Sequence, residues 1–224
     1  MRYIYLDNNS TTPIDPRVLE EMLPYLKDKF GNPNNTHSKG LEARTAIEDA
    51  REKITKMLNI KEGDIYFTSG GTEGNNWILK GIAFANKNKG KHIITSCIEH
   101  KCVLETCKWL EKQGFEITYL KVDKEGFIDL EELENSLRKD TILVSIMLAN
   151  NEIGTLEPIK EANKIVKEKS DAYFHTDACQ AIGKIKVDIK KLDIDLLTLS
   201  GHKFYAPKGI GAIYIRENVK IDPL

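Results

Sequence analysis

Asp64-Ile-Tyr-Phe-Thr-Ser-Gly-Gly-Thr-Glu-Gly-Asn-Asn-Trp-Ile-Leu-Lys-Gly-Ile-Ala-Phe-Ala-Asn86 changes its period at the glycine pair. Before the glycines, Asp64–Thr68 carries the β-branched and aromatic residues of a strand. After them the pattern turns helical and runs to about Asn86. A strand, a tight turn and a helix make half of a βαβ unit. The fold depends on whether that half repeats.

It repeats along the chain. Strands are expected at His92–Thr95, Glu116–Val122, Ile142–Leu148, Tyr173–Thr176, Leu196–Leu199 and Ala212–Ile215. Helices are expected between most of them, near Val103–Gln113, Leu130–Leu137 and Ile159–Lys169. Upstream, Asp15-Pro16 opens a helix, with aspartate as N-cap and proline in the first position. A second early helix begins near Ser38 and places Ile47, Ala50, Ile54, Met57 and Leu58 at helical spacing. Continuous apolar strands alternating with helices predict an α/β fold, a mainly parallel sheet of seven strands covered on both faces. No linker or repeat interrupts the pattern, so residues 1–224 read as one domain. Ligands of such sheets bind beyond the carboxyl ends of the strands.

Of the 224 residues, 41% are hydrophobic and 30% charged, and the formal net charge is −1. That balance is ordinary for a globular domain and gives no global attraction to nucleic acid or an anionic membrane. The opening MRYIYLDNNSTTP lacks the apolar core of a signal peptide, and no apolar run reaches membrane-spanning length. A cytoplasmic location is expected. Cys97, Cys102, Cys107 and Cys179 show no C-x-x-C spacing. The first three, five residues apart, would point about 140° apart on a helix and share no face as metal ligands. Reduced, mostly buried thiols are expected, and no metal site.

Polar residues gather where the strands should end. Thr68-Ser-Gly-Gly-Thr-Glu-Gly-Asn75 is either a phosphate cradle at a helix start or a tight turn capped by Thr72. It has neither the Walker A nor the dinucleotide fingerprint. His100 in Thr95-Ser-Cys-Ile-Glu-His100 is either a cap-region residue or a ring partner and proton shuttle. Asn150 and Asn151 close a strongly apolar strand and either hold a loop or orient a ligand. Asp177 ends another strand with Gln180 one helical turn on. It is either the N-cap of a following helix or a buried carboxylate awaiting a cationic partner. Lys203, in Leu199-Ser-Gly-His-Lys-Phe-Tyr-Ala-Pro-Lys-Gly-Ile-Gly211, is either a loop lysine reaching solvent or an amine placed for Schiff-base chemistry. Together these are the chemical types that pyridoxal 5′-phosphate requires: an anion site, a ring-face partner, a phenolate donor, a pyridinium acceptor and an amine.

The strings YLDNNSTTPIDP, FGNPNNTHSKG, FTSGGTEGNN, IEHKCV, ANNEIGTLEPI, FHTDACQAIGK and LSGHKFYAPKGIGAIYIR run in order over the whole chain. They resemble the cysteine desulfurases of the NifS/IscS type, class V aminotransferases of the fold type I pyridoxal-phosphate enzymes. The resemblance implies that Lys203 bears the cofactor and moves the substrate Cα proton. It puts Asp177 at the pyridine nitrogen, Gln180 at the phenolic oxygen and His100 on the ring, with a part in proton transfer. Asn151 would contact both cofactor and substrate. Gly71, Thr72, Ser200, Gly201 and His202 would hold the phosphate.

The implied activity removes sulfur from L-cysteine, leaving L-alanine and an enzyme persulfide destined for an iron–sulfur scaffold or another sulfur acceptor, in a homodimer. Family chains continue into a small C-terminal domain with the attacking cysteine, an arginine for the substrate carboxylate and a phosphate contact for the partner subunit. The present sequence stops at Leu224, so the match covers the cofactor-binding part alone and turnover by this chain alone is not expected. None of the four cysteines matches the nucleophile motif; Cys179 is nearest the inferred site. A non-catalytic cofactor-binding module and another class V activity such as selenocysteine lyase are the alternatives.

Overall fold

Residues 4–224 are described by a computed structural model in which the β-rich apolar runs become strands. These are β1 (Asp64–Thr68), β2 (His92–Ser96), β3 (Glu116–Leu120), β4 (Thr141–Ser145), β5 (Tyr173–Asp177), β6 (Leu196–Ser200) and β7 (Gly211–Ile215). The helices are α1 (Pro16–Lys27), α2 (Ser38–Met57), α3 (Gly71–Asn86), α4 (Lys101–Lys112), α5 (Leu130–Ser136), α6 (Ile159–Lys169) and α7 (Ile189–Leu192). Asp15 caps α1 as expected, its carboxylate accepting from the Arg17 N–H at 2.9 Å.

The strands form one sheet in the order β1-β7-β6-β5-β4-β2-β3. The pairs β2–β3, β2–β4, β4–β5 and β5–β6 are parallel, each served by a crossover. β7 runs antiparallel to both β6 and β1. Residues 201–210, which join β6 to β7, hold only a 3-10 turn at Gly201–Lys203 and have no length for a crossover helix. Two reversals restore direction, so β1 runs parallel to β6. The carboxyl ends of β1, β2, β4, β5 and β6 therefore open on one edge.

Both faces of the sheet are buried at β2, β4, β6 and β7, which is why those strands read as largely apolar runs. The edge strands β1 and β3 stay partly exposed. Leu196 packs in the cluster with Ile78 and Ile82 of α3 and Leu110 of α4. Its neighbour Leu197 packs in the cluster with Leu133 of α5 and Ile159 and Val166 of α6. Ile93 and Ile94, and Leu143 and Val144, divide in the same way. Each such side chain contributes about 2 kcal/mol on burial. α1 has no buried residue and lies outside both cores.

Gly211 sits opposite both Thr68 and Ser200. A Cβ there would stand 2.7 Å from Gly70 Cα and 2.7 Å from the Leu199 carbonyl oxygen. The missing side chain lets the Gly70-Gly71 turn lie against the end of β6.

The expected elements are present, with shifted ends. β4 stops at Ser145 although Ile146–Ala149 stays buried. That segment still bonds to β5, Ile146 N–H donating to the His175 carbonyl at 3.1 Å and Leu148 N–H to that of Asp177 at 2.9 Å. Burial made it apolar, and burial alone does not specify a ladder. β3 likewise ends at Leu120, and Val122 makes only an isolated bridge to Ile128. Cys107 is buried as expected, but Cys97 is exposed because it has left β2 for the turn before α4. Among the described residues no helix is long and apolar enough to cross a membrane.

Candidate active site

A cavity of about 510 Å³ lies at the edge where the strand ends converge. Gly71, Thr72, His100, Asn151, Asp177, Gln180, Ser200, His202 and Lys203 all line it. Gly201 does not. It is buried behind the wall, and its absent side chain makes room for Ala206 and Ile210, each 2.9 Å from where a Cβ would stand.

One end of the cavity is the start of α3. Its N-cap, Gly70, has φ of +154° and makes no side-chain cap bond, so Thr72 is not a cap. The first-turn N–H groups of an uncapped helix carry partial positive charge and favour an anion. Ser200, 3% exposed, ends β6 beside them, and the His202 ring lies 3.1 Å from the Thr11 hydroxyl. Burial, then the charges of Lys203 and Lys208, hold the His202 pKa below its ordinary value.

Asp177 closes β5 and is 5% exposed. One carboxylate oxygen accepts from Asn75 Nδ2 at 2.6 Å and the other from the Cys179 N–H at 2.9 Å. No helix follows for it to cap, since residues 179–184 form turns. Beneath it His175 is bonded to Ser145 Oγ at 2.9 Å and Thr198 Oγ1 at 3.0 Å, and burial lowers its pKa to about 4. A neutral imidazole gives Asp177 no counter-charge, so its carboxylate is held by neutral donors alone.

Lys203 ends the 3-10 turn after β6, half-buried. Its ammonium donates to the carbonyl oxygens of Asn9 at 2.7 Å and Ser10 at 2.9 Å. Those carbonyls belong to a strap tied down by Thr12. The Thr12 N–H and hydroxyl each donate to the His202 carbonyl at 2.9 Å, and the hydroxyl accepts from the Tyr205 N–H at 2.8 Å. The Asp15 N–H then donates to the Tyr205 carbonyl at 3.0 Å. Gln180 joins the same strap, donating from Nε2 to the Asn9 carbonyl at 2.8 Å while Lys184 donates to its Oε1 at 2.6 Å.

The cap-region reading of His100 holds, and the residue also borders the cavity. It is the N-cap of α4, Nδ1 accepting from the Cys102 N–H at 3.2 Å, and its exposed ring lines the cavity. The asparagine pair divides its duties. Asn150 Oδ1 accepts the Glu152 and Ile153 N–H groups at 2.8 and 3.0 Å and so shapes the loop, whereas Asn151 faces the cavity. Behind this wall Glu99 is 4% exposed. Its Oε1 accepts from Ser96 Oγ and the Met147 N–H, both at 2.8 Å, and Oε2 has no partner. Burial raises its pKa to about 8.

Asp7, Asn9, Ser10, Asn75, Cys102 and Met147 also line the cavity without having been singled out from the sequence. Asn75 lies one helical turn beyond Gly71, a spacing that could have found it. The strap carries no periodic signal.

The family model described as Aminotransferase class-V matches residues 4–224. Cysteine desulfurase IscS of Methanosarcina thermophila is 60% identical over 221 residues, which cover 99% of this chain and 54% of that protein. Among solved structures, that of a NifS-like protein superposes with a TM-score of 0.96 at 49% identity, over 99% of this chain and 61% of its own. Another, SspA in complex with cysteine, gives 0.94 at 44% identity, over 98% and 64%. The chain thus spans about half the length of the relative it matches and under two thirds of these structures. Matched by that model from residue 4 to its last residue, and carrying the strand-end cavity on the same fold, the chain belongs to the aminotransferase class-V family.

Proposed function

We propose that this chain is the cofactor-bearing part of a pyridoxal-phosphate-dependent cysteine desulfurase that takes sulfur from L-cysteine. The observation that carries the reading is the convergence of Lys203, Asp177, His100 and the uncapped start of α3 on one cavity. The residues fit the cofactor part by part. The α3 N–H groups, Ser200 and His202 offer donors to a phosphate, and a side chain at residue 71 would fill that cradle, its Cβ 2.6 Å from Cys179 Sγ. Asp177, a buried carboxylate with only neutral donors, suits a protonated pyridine nitrogen. The Lys203 amine is the point of attachment.

When bound, the cofactor supplies an electron sink for the charge left at the substrate Cα. The protein does the rest. Asp177 would hold a proton at the ring nitrogen, and His100 would cover the ring face. Gln180, already bonded to the Asn9 carbonyl and Lys184, would offer its remaining amide hydrogen to the phenolic oxygen. Lys203 Nζ takes and returns the Cα proton, and Asn151 orients the substrate. In this reading the whole protein works as a homodimer in the cytoplasm and passes sulfur, as a persulfide, to an acceptor protein. The similarity to SspA, solved in complex with cysteine, supports the substrate, and Leu26 and Phe30, exposed apolar residues, leave surface for association.

Borohydride reduction of the chain mixed with pyridoxal phosphate, followed by peptide mass mapping, tests the reading. One pyridoxyl group per chain on Lys203 is expected, and none with Lys203→Ala. Label scattered over surface lysines would overturn it. Asp177→Ala should weaken the cofactor far more than the fold, and equal loss of both would reduce Asp177 to a structural residue.

A further inference from the structure

Asn75, Cys102 and His100 form a connected chain that the reaction as described does not use. Asn75 is fully buried, and its amide gives one hydrogen to Asp177 Oδ2 at 2.6 Å and the other to Cys102 Sγ at 3.2 Å. Its own Oδ1 is left buried with no partner. The amide is therefore aimed by what its two hydrogens reach, at the expense of its oxygen. On the far side, Cys102 Sγ lies 3.0 Å from His100 Nδ1.

The direction of that last contact follows from its neighbour. The Cys102 backbone N–H also donates to His100 Nδ1, so this nitrogen is an acceptor and carries no hydrogen in the neutral ring. The sulfur must supply the proton between them. Burial pushes the Cys102 thiol up to about 11, which keeps its hydrogen in place at neutral pH. The imidazole then carries its hydrogen on Nε2, the nitrogen left to meet a ligand in the cavity.

We propose that Cys102 is a positioning residue. Its thiol, steadied by Asn75, donates to His100 Nδ1 beside the backbone N–H that sets the tautomer, holds the ring in place, and joins it to the Asp177 carboxylate in one hydrogen-bonded unit. The value of the unit rests on the reading of His100 and Asp177 as cofactor-facing groups. Its existence does not.

The test is the infrared S–H stretch of the 224-residue chain, recorded before any cofactor is added. The difference between the parent and Cys102→Ser isolates the Cys102 band from those of the other three thiols. The band is expected at lower wavenumber than a free thiol, and His100→Phe should move it back up. In ¹⁵N spectra, Cys102→Ala should shift the His100 Nδ1 resonance to that of a nitrogen bonded to the residue-102 backbone N–H alone, and Cys102→Ser should restore it. A band at the free-thiol position, or one indifferent to His100→Phe, overturns the proposal. The Lys203 labelling reports separately. A displaced thiol band without a Lys203 adduct would sink the cofactor reading and leave the hydrogen-bonded unit standing. An adduct with a free-thiol band would do the reverse.

Discussion

Two groups that line the cavity, Asp177 and Lys203, are held in opposite ways. Asp177 is the last residue of a central strand, 5% exposed, with its partners supplied by α3 and its own turn. Lys203 sits half-buried in a turn between antiparallel strands, bonded to carbonyls of a strap distant in sequence. The carboxylate is positioned by the packed core, and the amine by a few hydrogen bonds. A carboxylate fixed by the core and an amine held by a few bonds fit the proposed function, in which the lysine would change partners while the carboxylate would not.

Substitutions on each side should separate these two modes. The largest effect is expected in the rigid wall. Gly211→Ala drives a Cβ against Gly70 and Leu199 backbone and should cost about 3 kcal/mol in urea unfolding. A cost near zero would mean that the close approach of the Gly70 turn and the end of β6 to Gly211 of β7 is not needed.

Next comes Glu99, behind the same wall. Its pKa is about 8 in the folded chain against 4.5 for an ordinary glutamate, so the folded state holds a proton that the unfolded state has released. Stability should fall as pH rises through that window, by up to about 1.4 kcal/mol per pH unit, and level off above it. Glu99→Gln should flatten this slope, at the expense of two buried amide hydrogens with no acceptor to meet. A slope unchanged in the variant would assign the proton elsewhere.

The smallest effect belongs to the strap. Thr12→Val keeps the shape and removes the hydroxyl that bonds the His202 carbonyl and the Tyr205 N–H, costing about 1 to 2 kcal/mol. Proteolysis within residues 4–15 should accelerate while the sheet keeps its unfolding midpoint within a few degrees. Equal loss in both regions would show that strap and core unfold as one.

The same contrast separates what was legible in the chain from what was not. Leu196-Leu197-Thr198-Leu199 announces a strand buried on both faces, and Asp15-Pro16 announces a helix start, because those signals are local. The gathering of Asp177, His100 and Lys203 at one edge was legible because strand-end polar residues stand out against apolar runs. The strap was not, since Asn9 and Ser10 act through backbone carbonyls that every residue possesses. Asn75 was hidden inside an ordinary helix, where only its distance from Gly71 marked it. The reversal of β7 was likewise silent, being set by the shortness of residues 201–210 and not by the composition of the strand.

The strap has a consequence for the order in which the site comes into being. Thr12 meets a partner 190 residues further along the chain, and among the described residues β1 likewise pairs only with β7. At a synthesis rate of about 5 to 20 residues per second, roughly 10 to 40 s pass between the making of Thr12 and of His202. For that interval the first strand has no neighbour and the lysine does not yet exist. The start of α3 and the end of β6 can meet only after β7 has slid between β1 and β6, so the cavity they line takes shape only once residue 215 has been made.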